Sequence, residues 1–201
     1  MATAPRVVQR VLSPARAAMR SRLIATAIEL ATEGGYDAVG IRQVAAAAGV
    51  SVPTVYQHVS SRDQLLMEAL MSLGERSTDA VAARPPKGAT AAERLGEVFT
   101  RILREAGRKP LLYQALYRGY VASAPGLAGA DGAPGFGPEQ AAWIGATLRL
   151  GEGDGLAEDQ IATAAPMLSM MFLGAMIGVA SGRDHREVAA LLSSAAERLL
   201  A

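Results

Sequence analysis

Apolar residues recur every three or four positions along most of the chain, which is the spacing of an α-helix with one buried face. No segment shows the apolar-polar alternation of a half-buried strand. Glycine and proline clusters at 84–88 and 124–138 interrupt the pattern, and the second cluster predicts a mobile loop. The predicted helices cover residues 16–33, 41–48, 52–59, 62–83, 91–106, 110–122, 139–150, 158–181 and 186–200. We therefore predict an all-α protein.

Two short predicted helices, 41–48 and 52–59, are separated by only three residues. Ala45 is small enough to let the two helices cross closely, and Gly49 accepts the left-handed backbone of a tight turn. Val50 fills the corner between them. This arrangement predicts a helix-turn-helix, whose second helix enters the major groove of DNA.

The second of these helices has one apolar face. Val55 and Val59 lie four positions apart and are expected to point inward. Thr54 and Gln57 then face outward, where a glutamine can make two hydrogen bonds to adenine and a threonine can contact a base through its hydroxyl or methyl group. The candidate DNA contacts of this region are Arg42, Gln43, Ser51, Val52, Pro53, Thr54, Tyr56, Gln57 and His58.

An ordered set of motifs spans residues 23–66: Gly35-Tyr36, Ala48-Gly49-Val50-Ser51, Val55-Tyr56 and Arg62-Asp63-Gln64-Leu65. In this order they resemble the DNA-binding domain of the TetR family of bacterial regulators, over about a quarter of the chain. The resemblance implies an N-terminal three-helix DNA-binding domain followed by a C-terminal helical domain for ligand binding and dimerisation. We expect an N-terminal disordered arm over 1–15 and domains over 16–60 and 61–201.

The resemblance also implies roles for single residues. Tyr56 matches a tyrosine that grips a DNA phosphate, and His58 is expected to act similarly. Arg62 stands where a lysine at the start of helix four meets the DNA backbone. Gly40 departs from the family, because a threonine or serine usually caps helix two there. The implied function is a repressor that binds a pseudo-palindromic operator in double-stranded DNA as a homodimer and is released by a small apolar or acyl-type effector.

The segment 108–121 resembles the same region of actinobacterial repressors of sterol catabolism, whose effectors are steroid acyl-CoA thioesters. Methionine adapts to irregular ligands, and tyrosine or tryptophan adds a polar tip. For each candidate taken singly, packing in the core remains the alternative. The candidate pocket residues are Leu66, Leu70, Phe99, Leu103, Leu116, Tyr117, Tyr120, Trp143, Met167, Met170 and Met171.

Residues 161–182 contain no charged residue, a length that also suits a membrane span. Pro166, and the absence of flanking tyrosine or tryptophan, favour a buried helix or a subunit interface instead. Gly174, Gly178 and Gly182 recur every four positions and permit close backbone approach. We therefore expect a dimer interface here and no membrane partner.

Charge and reactive residues narrow the function further. The net charge is +1, but residues 1–60 hold six arginines against three acidic residues, which suits either an arm that touches phosphates or a solvated tail. The chain has no cysteine, and this fits the cytoplasm. His58 and His185 are the only histidines, and no catalytic motif includes them. We expect no enzyme activity, no metal and no cofactor; a constitutive DNA-binding or architectural dimer without effector is the alternative function.

Overall fold

A computed structural model describes residues 14–127, 138–150 and 156–201. Within these ranges the chain forms nine helices and no strand, as the apolar spacing predicts. The helices are α1 Pro14–Ala38, α2 Ile41–Ala47, α3 Val52–Tyr56, α4 Arg62–Ala83, α5 Ala91–Arg108, α6 Pro110–Leu127, α7 Pro138–Leu148, α8 Glu158–Ala180 and α9 His185–Leu199.

Several helix boundaries differ from the expected ones, and α1 continues past its predicted end at residue 33 to Ala38, with a kink at Gly35 (φ 66°). α1 begins at Pro14, so the last two residues of the predicted arm are helical, while 1–13 lie outside the described residues. α3 ends at Tyr56 and not at Val59, because the backbone N–H of Gln57 bonds to carbonyls three and four residues back and tightens the last turn. α6 extends to Leu127, so the predicted loop does not begin at residue 124, and 128–137 lie outside the described residues.

Side-chain caps fix where several helices begin. The Ser61 hydroxyl accepts a hydrogen bond from the backbone N–H of Gln64 at 3.0 Å and starts α4. Thr90 and Glu93 form a reciprocal capping box at the start of α5. Asp184 accepts two backbone N–H groups and starts α9. These caps satisfy donors that the first helical turn would otherwise leave unpaired.

The buried core is continuous across residue 60. It includes Leu23 and Val55 in the N-terminal part, Leu65 in α4, and Leu103 and Leu168 further along the chain. α6 packs against both α1 and α4, and α5 packs against α9. α6 therefore joins the N-terminal helices to the rest of the molecule.

α8 is the one helix among the described ranges that is long and apolar enough to cross a membrane, with a mean hydropathy of 1.7. Core helices of globular proteins pass the same criterion. α8 packs sideways against α5, α6, α7 and α9, and its inner face buries Leu168, Phe172 and Met176. The outer face carries exposed Met170 and Ile177. α8 thus combines a core-packed face with a second apolar face that no described residue covers.

Candidate DNA-binding surface and helical cavity

The turn between α2 and α3 has the geometry that its glycine predicts. The backbone N–H of Gly49 bonds to the Ala46 carbonyl at 3.1 Å, and that of Val50 bonds to the Ala45 carbonyl at 2.9 Å. This pair of bonds is a Schellman motif, which requires the left-handed backbone that Gly49 adopts at φ 63°. The turn sets the angle between α2 and α3.

α3 shows the expected division into an inner and an outer face. Val55 and Val59 are buried, whereas Tyr56 is 56% exposed. Ser51, Pro53 and Gln57 are also exposed, as are Arg42 and Gln43 on α2; Val52, Thr54, His58 and Arg62 are partly buried. The predicted DNA contacts thus all lie at least partly accessible, on α2 or α3 or next to them in the chain.

The Ser51 hydroxyl caps α3 and also limits one predicted base contact. It accepts the backbone N–H of Thr54 at 3.3 Å, and it shares a 2.8 Å hydrogen bond with the Thr54 hydroxyl. The side chain of Gln57 has no such local partner among the bonds of the described residues. Gln57 is therefore the better placed of the two candidate base readers.

Residues that the sequence analysis did not select hold α3 and its flanks in place. Arg16 in α1 donates to the backbone carbonyl of Gln57 at 3.0 Å, at the end of α3. Arg20 makes a two-pronged ion pair with Glu68 of α4, at 2.8 and 2.6 Å. Gln64 connects the Ser60 backbone and hydroxyl to Glu68. The contacts of Arg16 and Arg20 join segments more than 40 residues apart, so no short-range pattern marks them, whereas those of Gln64 follow i,i+4 spacing.

Arg62 lies against an aromatic ring rather than extending away from the protein. Its guanidinium carbon is 3.7 Å from the ring centroid of Tyr36. The Tyr36 hydroxyl donates to Asp63 at 2.6 Å. Burial and the Asp63 carboxylate raise the pKa of Tyr36, so its hydroxyl remains protonated and can donate. A second guanidinium, that of Arg118 in α6, lies 3.8 Å from the same centroid.

Gly40 precedes α2 without a side-chain cap, as expected from its identity. Its backbone, at φ −67° and ψ 147°, is open to any L-residue. The Gln43 side chain folds back over it, with Oε1 only 2.2 Å from where a Cβ would stand. Because that atom ends a flexible side chain, a larger residue at this position can displace it.

We predict that Gly40→Ser raises the free energy of unfolding by about 0.5–1 kcal/mol, through a new cap and a less flexible unfolded chain. Gly49→Ser is the matched control and should lower it by about 1–2 kcal/mol, because residue 49 has a left-handed backbone. Urea unfolding followed by circular dichroism measures both. Equal destabilisation by the two changes would contradict the capping argument.

A cavity of about 260 Å³ lies among α4, α5, α6, α7 and α8. Apolar surface forms most of its lining, and the polar or charged residues that line it are Glu75, Ser77, Thr78, Tyr113, Tyr117 and Gln140. Burial, with a further contribution from Glu105, raises the pKa of Tyr113 to about 12, and burial also raises that of Tyr117. Both phenols are therefore protonated at neutral pH. The lining residues are Leu70, Met71, Leu73, Gly74, Glu75, Ser77, Thr78, Ile102, Tyr113, Tyr117, Gln140, Trp143, Phe172 and Met176.

The structure brings only part of the predicted pocket together. Leu70, Tyr117 and Trp143 line the cavity. The others differ in burial and fall into three groups. Leu66, Phe99, Leu103 and Leu116 are fully buried in the core, Tyr120 is partly buried, and Met167, Met170 and Met171 are 48%, 66% and 43% exposed.

The physical reason is the orientation of each helix about its own axis. Where nearly every position is apolar, the sequence does not specify which face turns inward. Phe99 stacks on Phe172 at 4.8 Å between centroids and so packs in the core. The three methionines lie on the outer face of α8, away from the cavity. The polar edge of the cavity from α4 was not predicted: Ser77 lies one helical turn after Leu73 and bonds back to its carbonyl.

The predicted glycine stripe is only partly helical. Gly174 and Gly178 lie in α8, and a Cβ at Gly174 would meet no atom within 4 Å. Gly182 lies beyond the end of α8 and adopts φ 97°. It therefore belongs to the turn between α8 and α9, because a left-handed residue ends a helix.

The geometry of α2, α3 and their turn is that of a helix-turn-helix, and comparison with known proteins shows what this region is similar to. The model of the TetR_N family, bacterial regulatory proteins of the tetR family, matches residues 23–69. Residues 23–69, which hold the helix-turn-helix, are thus similar to the DNA-binding part of this family.

Among characterised relatives, the chain is similar to the HTH-type transcriptional repressor KstR of Rhodococcus jostii, with 37% identity over 109 residues, 54% of this chain and 50% of the relative. KstR of Mycobacterium tuberculosis is 37% identical over 112 residues, again 54% of this chain and 50% of the relative. The chain thus spans about half the length of the curated relatives it matches.

A solved structure supports the fold over nearly the whole chain. The crystal structure of a TetR transcriptional regulator from a Rhodococcus species matches with a TM-score of 0.73. The identity is 22%, and the match covers 92% of this chain and 97% of that one. At this identity the likeness concerns the fold alone.

Proposed function

We propose that the protein is a transcriptional repressor that binds a pseudo-palindromic operator as a homodimer. The observation that carries this proposal is the exposed outer face of α3, which a Schellman turn and the Ser51 cap hold beside α2. A single five-residue helix offers few base contacts. Two copies related by twofold symmetry double them and read half-sites about 34 Å apart or a multiple of that distance.

The outer face of α8 supports the dimer. Between Gln160 and Arg183 this segment carries no charge, and Met170, Met171 and Ile177 are exposed on it. An apolar surface of this extent is typical of a protein interface. Gly174, with no neighbour within 4 Å, leaves room for the backbone of a second α8. In this function the protein acts in the cytoplasm, on double-stranded DNA and without a membrane partner.

The cavity supports release by a small apolar effector, and a steroid or the acyl part of an acyl-CoA suits its lining. Its volume of about 260 Å³ is slightly below the range of roughly 300–1,000 Å³ usual for drug-sized ligands. An effector of that size therefore fits fully inside it only if some of the helices that line it, α4 to α8, move apart. An effector that binds the widened state more tightly shifts the protein towards it, and α4 extends from the cavity to Arg62.

In vitro selection of duplex DNA with the full chain tests the proposal, and two variants then test the DNA surface. Tyr56→Phe should weaken binding of all duplexes by roughly threefold to tenfold, since a hydrogen bond contributes about 0.5–1.5 kcal/mol. Gln57→Ala should relax preference at one base position by about 1–3 kcal/mol. Fluorescence anisotropy on the selected duplex and its single-base variants measures both effects.

The matched control is Gln160→Ala, which removes a glutamine side chain at the start of α8, outside the DNA surface. It should change neither the overall affinity for DNA nor the base preference. Uniform weakening by Gln57→Ala without changed base preference would contradict its assigned role. Failure of the wild-type chain to enrich any duplex would contradict the proposed function.

The effector is tested separately, by adding a panel of steroids and acyl-CoA thioesters to the complex of protein and selected duplex. Release of DNA together with thermal stabilisation of the free protein supports the repressor mechanism. If no member of the panel does either, the constitutive DNA-binding dimer becomes the better account.

A further inference from the structure

The ring of Tyr36 is held between two arginines from different parts of the fold. Arg62 begins α4, beside the candidate DNA surface, and Arg118 lies in α6. Their guanidinium carbons are 3.7 and 3.8 Å from the centroid of the same ring. At these distances the two groups must occupy opposite faces, because one face has no room for both. Asp63 fixes the edge of the ring by accepting the Tyr36 hydroxyl at 2.6 Å.

The two neighbours of Arg118 along α6 make contacts of a different kind. Tyr117 lines the cavity. Gly119 lies so close to α4 that a Cβ there would stand 2.6 Å from the Cβ of Leu66. Three consecutive residues of α6 therefore contact the cavity, the ring that supports Arg62, and the helix that carries Arg62. A displacement of α6 at Tyr117 therefore also moves the backbone that carries Arg118 and the close contact of Gly119 with α4.

We propose that Arg118 is a positioning residue that couples the cavity to Arg62 through the ring of Tyr36. The inference rests on the proposed function, since it takes the Arg62 end of α4 as the part that meets DNA phosphates.

The physical basis is that Arg62 and Arg118 share the ring of Tyr36, while a DNA phosphate competes with that ring for Arg62. Each guanidinium is attracted to its face of the ring, while the two cations repel each other across it. A DNA phosphate attracts Arg62 away from Tyr36 and leaves Arg118 as the only cation on the ring. An occupant of the cavity that moves α6 changes the stack from the opposite side. Because coupling between two binding sites is reciprocal, DNA binding must also change the cavity.

The single tryptophan, Trp143, lines the cavity and reports on it directly. The experiment measures quenching of Trp143 fluorescence by acrylamide in the full chain, with and without a saturating duplex obtained by selection with the wild-type protein. We expect DNA to change the quenching constant of the wild type. Arg118→Ala should lose more than half of that change while still binding the duplex. Tyr36→Leu should lose a similar fraction, because it removes the shared ring.

Arg104→Ala is the matched control: it removes one positive charge from an exposed arginine of α5 and should keep the full response. Arg118→Lys keeps a cation over the ring and should restore most of the response, including in the event that the alanine variant folds poorly. If Arg118 only stabilised the fold, Arg118→Ala would lower the thermal stability and leave the DNA-induced change in Trp143 quenching intact.

Several results distinguish failure of this inference from failure of the proposed function. Wild-type protein that binds the duplex without any change at Trp143 would overturn the coupling, and so would a full response in Arg118→Ala. In the double variant Arg118→Ala/Tyr36→Leu, the response should fall no further than in the more affected single variant, because both substitutions break the same link. A clearly larger loss in the double variant would also overturn the inference, whereas wild-type protein that binds no DNA would overturn the proposed function.

Discussion

Gly119→Ala should lower the free energy of unfolding by as much as about 2 kcal/mol, although alanine is normally the better helix residue. A Cβ at this position would stand 2.6 Å from the Cβ of Leu66 and 3.2 Å from the carbonyl oxygen of Asp63. Neither atom belongs to the free end of a flexible side chain, so α6 and α4 must separate. Overpacking costs roughly 1–3 kcal/mol and exceeds the gain of about 1 kcal/mol in helix propensity.

The measurement is chemical denaturation of the variant beside Gly74→Ala. Gly74 also lies inside a helix, but a Cβ there would meet no atom within 4 Å. That control should gain roughly 0.5–1 kcal/mol, because alanine favours the helix and nothing resists it. A gain in both variants would show that α4 and α6 are not in close contact at Gly119.

The close packing at Gly119 also illustrates what the sequence alone does not contain. Nothing in the residues around it distinguishes it from a glycine that ends a helix or simply weakens it. The requirement comes from Leu66, which reaches the same point from another helix. The same holds for the stack of Tyr36 with Arg118, since no periodic pattern relates residues so far apart in the chain.

The helix-turn-helix could be predicted because its determinants are local. Gly49, Ser51 and the Val55–Val59 pair act over at most four residues, and the structure gives each the expected geometry or burial. The cap of helix two was likewise correctly expected to be absent, since Gly40 has no side chain to provide one.

The cavity lining could be predicted only in part, because α8 is apolar on all sides. A sequence without polar positions on one face does not specify which face turns inward. Met170 and Phe172, two positions apart, thus end up on the outer face and in the core respectively. Packing against α5, α6, α7 and α9 decides between them, and those helices are distant in sequence.

Met170→Arg, on the outer face of α8, should have the largest effect of these substitutions, because it should dissociate the dimer. Met170 is 66% exposed in the single chain and has exposed apolar neighbours on the same helix. If two copies meet on this face, each arginine is buried against an apolar surface without a partner. The cost is roughly 2 kcal/mol or more per copy, and it is incurred twice in a symmetric dimer, so the dissociation constant should rise by about a thousandfold.

Light scattering after size-exclusion chromatography measures the oligomeric state, and anisotropy on the selected duplex measures DNA binding. Val121→Arg is the matched control, because Val121 is 62% exposed on α6 and lies outside α8 and α9. Met170→Arg should be monomeric and bind the full duplex much more weakly, since one chain reads only one half-site. A dimer that survives Met170→Arg and is lost in Val121→Arg would place the interface elsewhere, and the exposed methionines would then need another explanation.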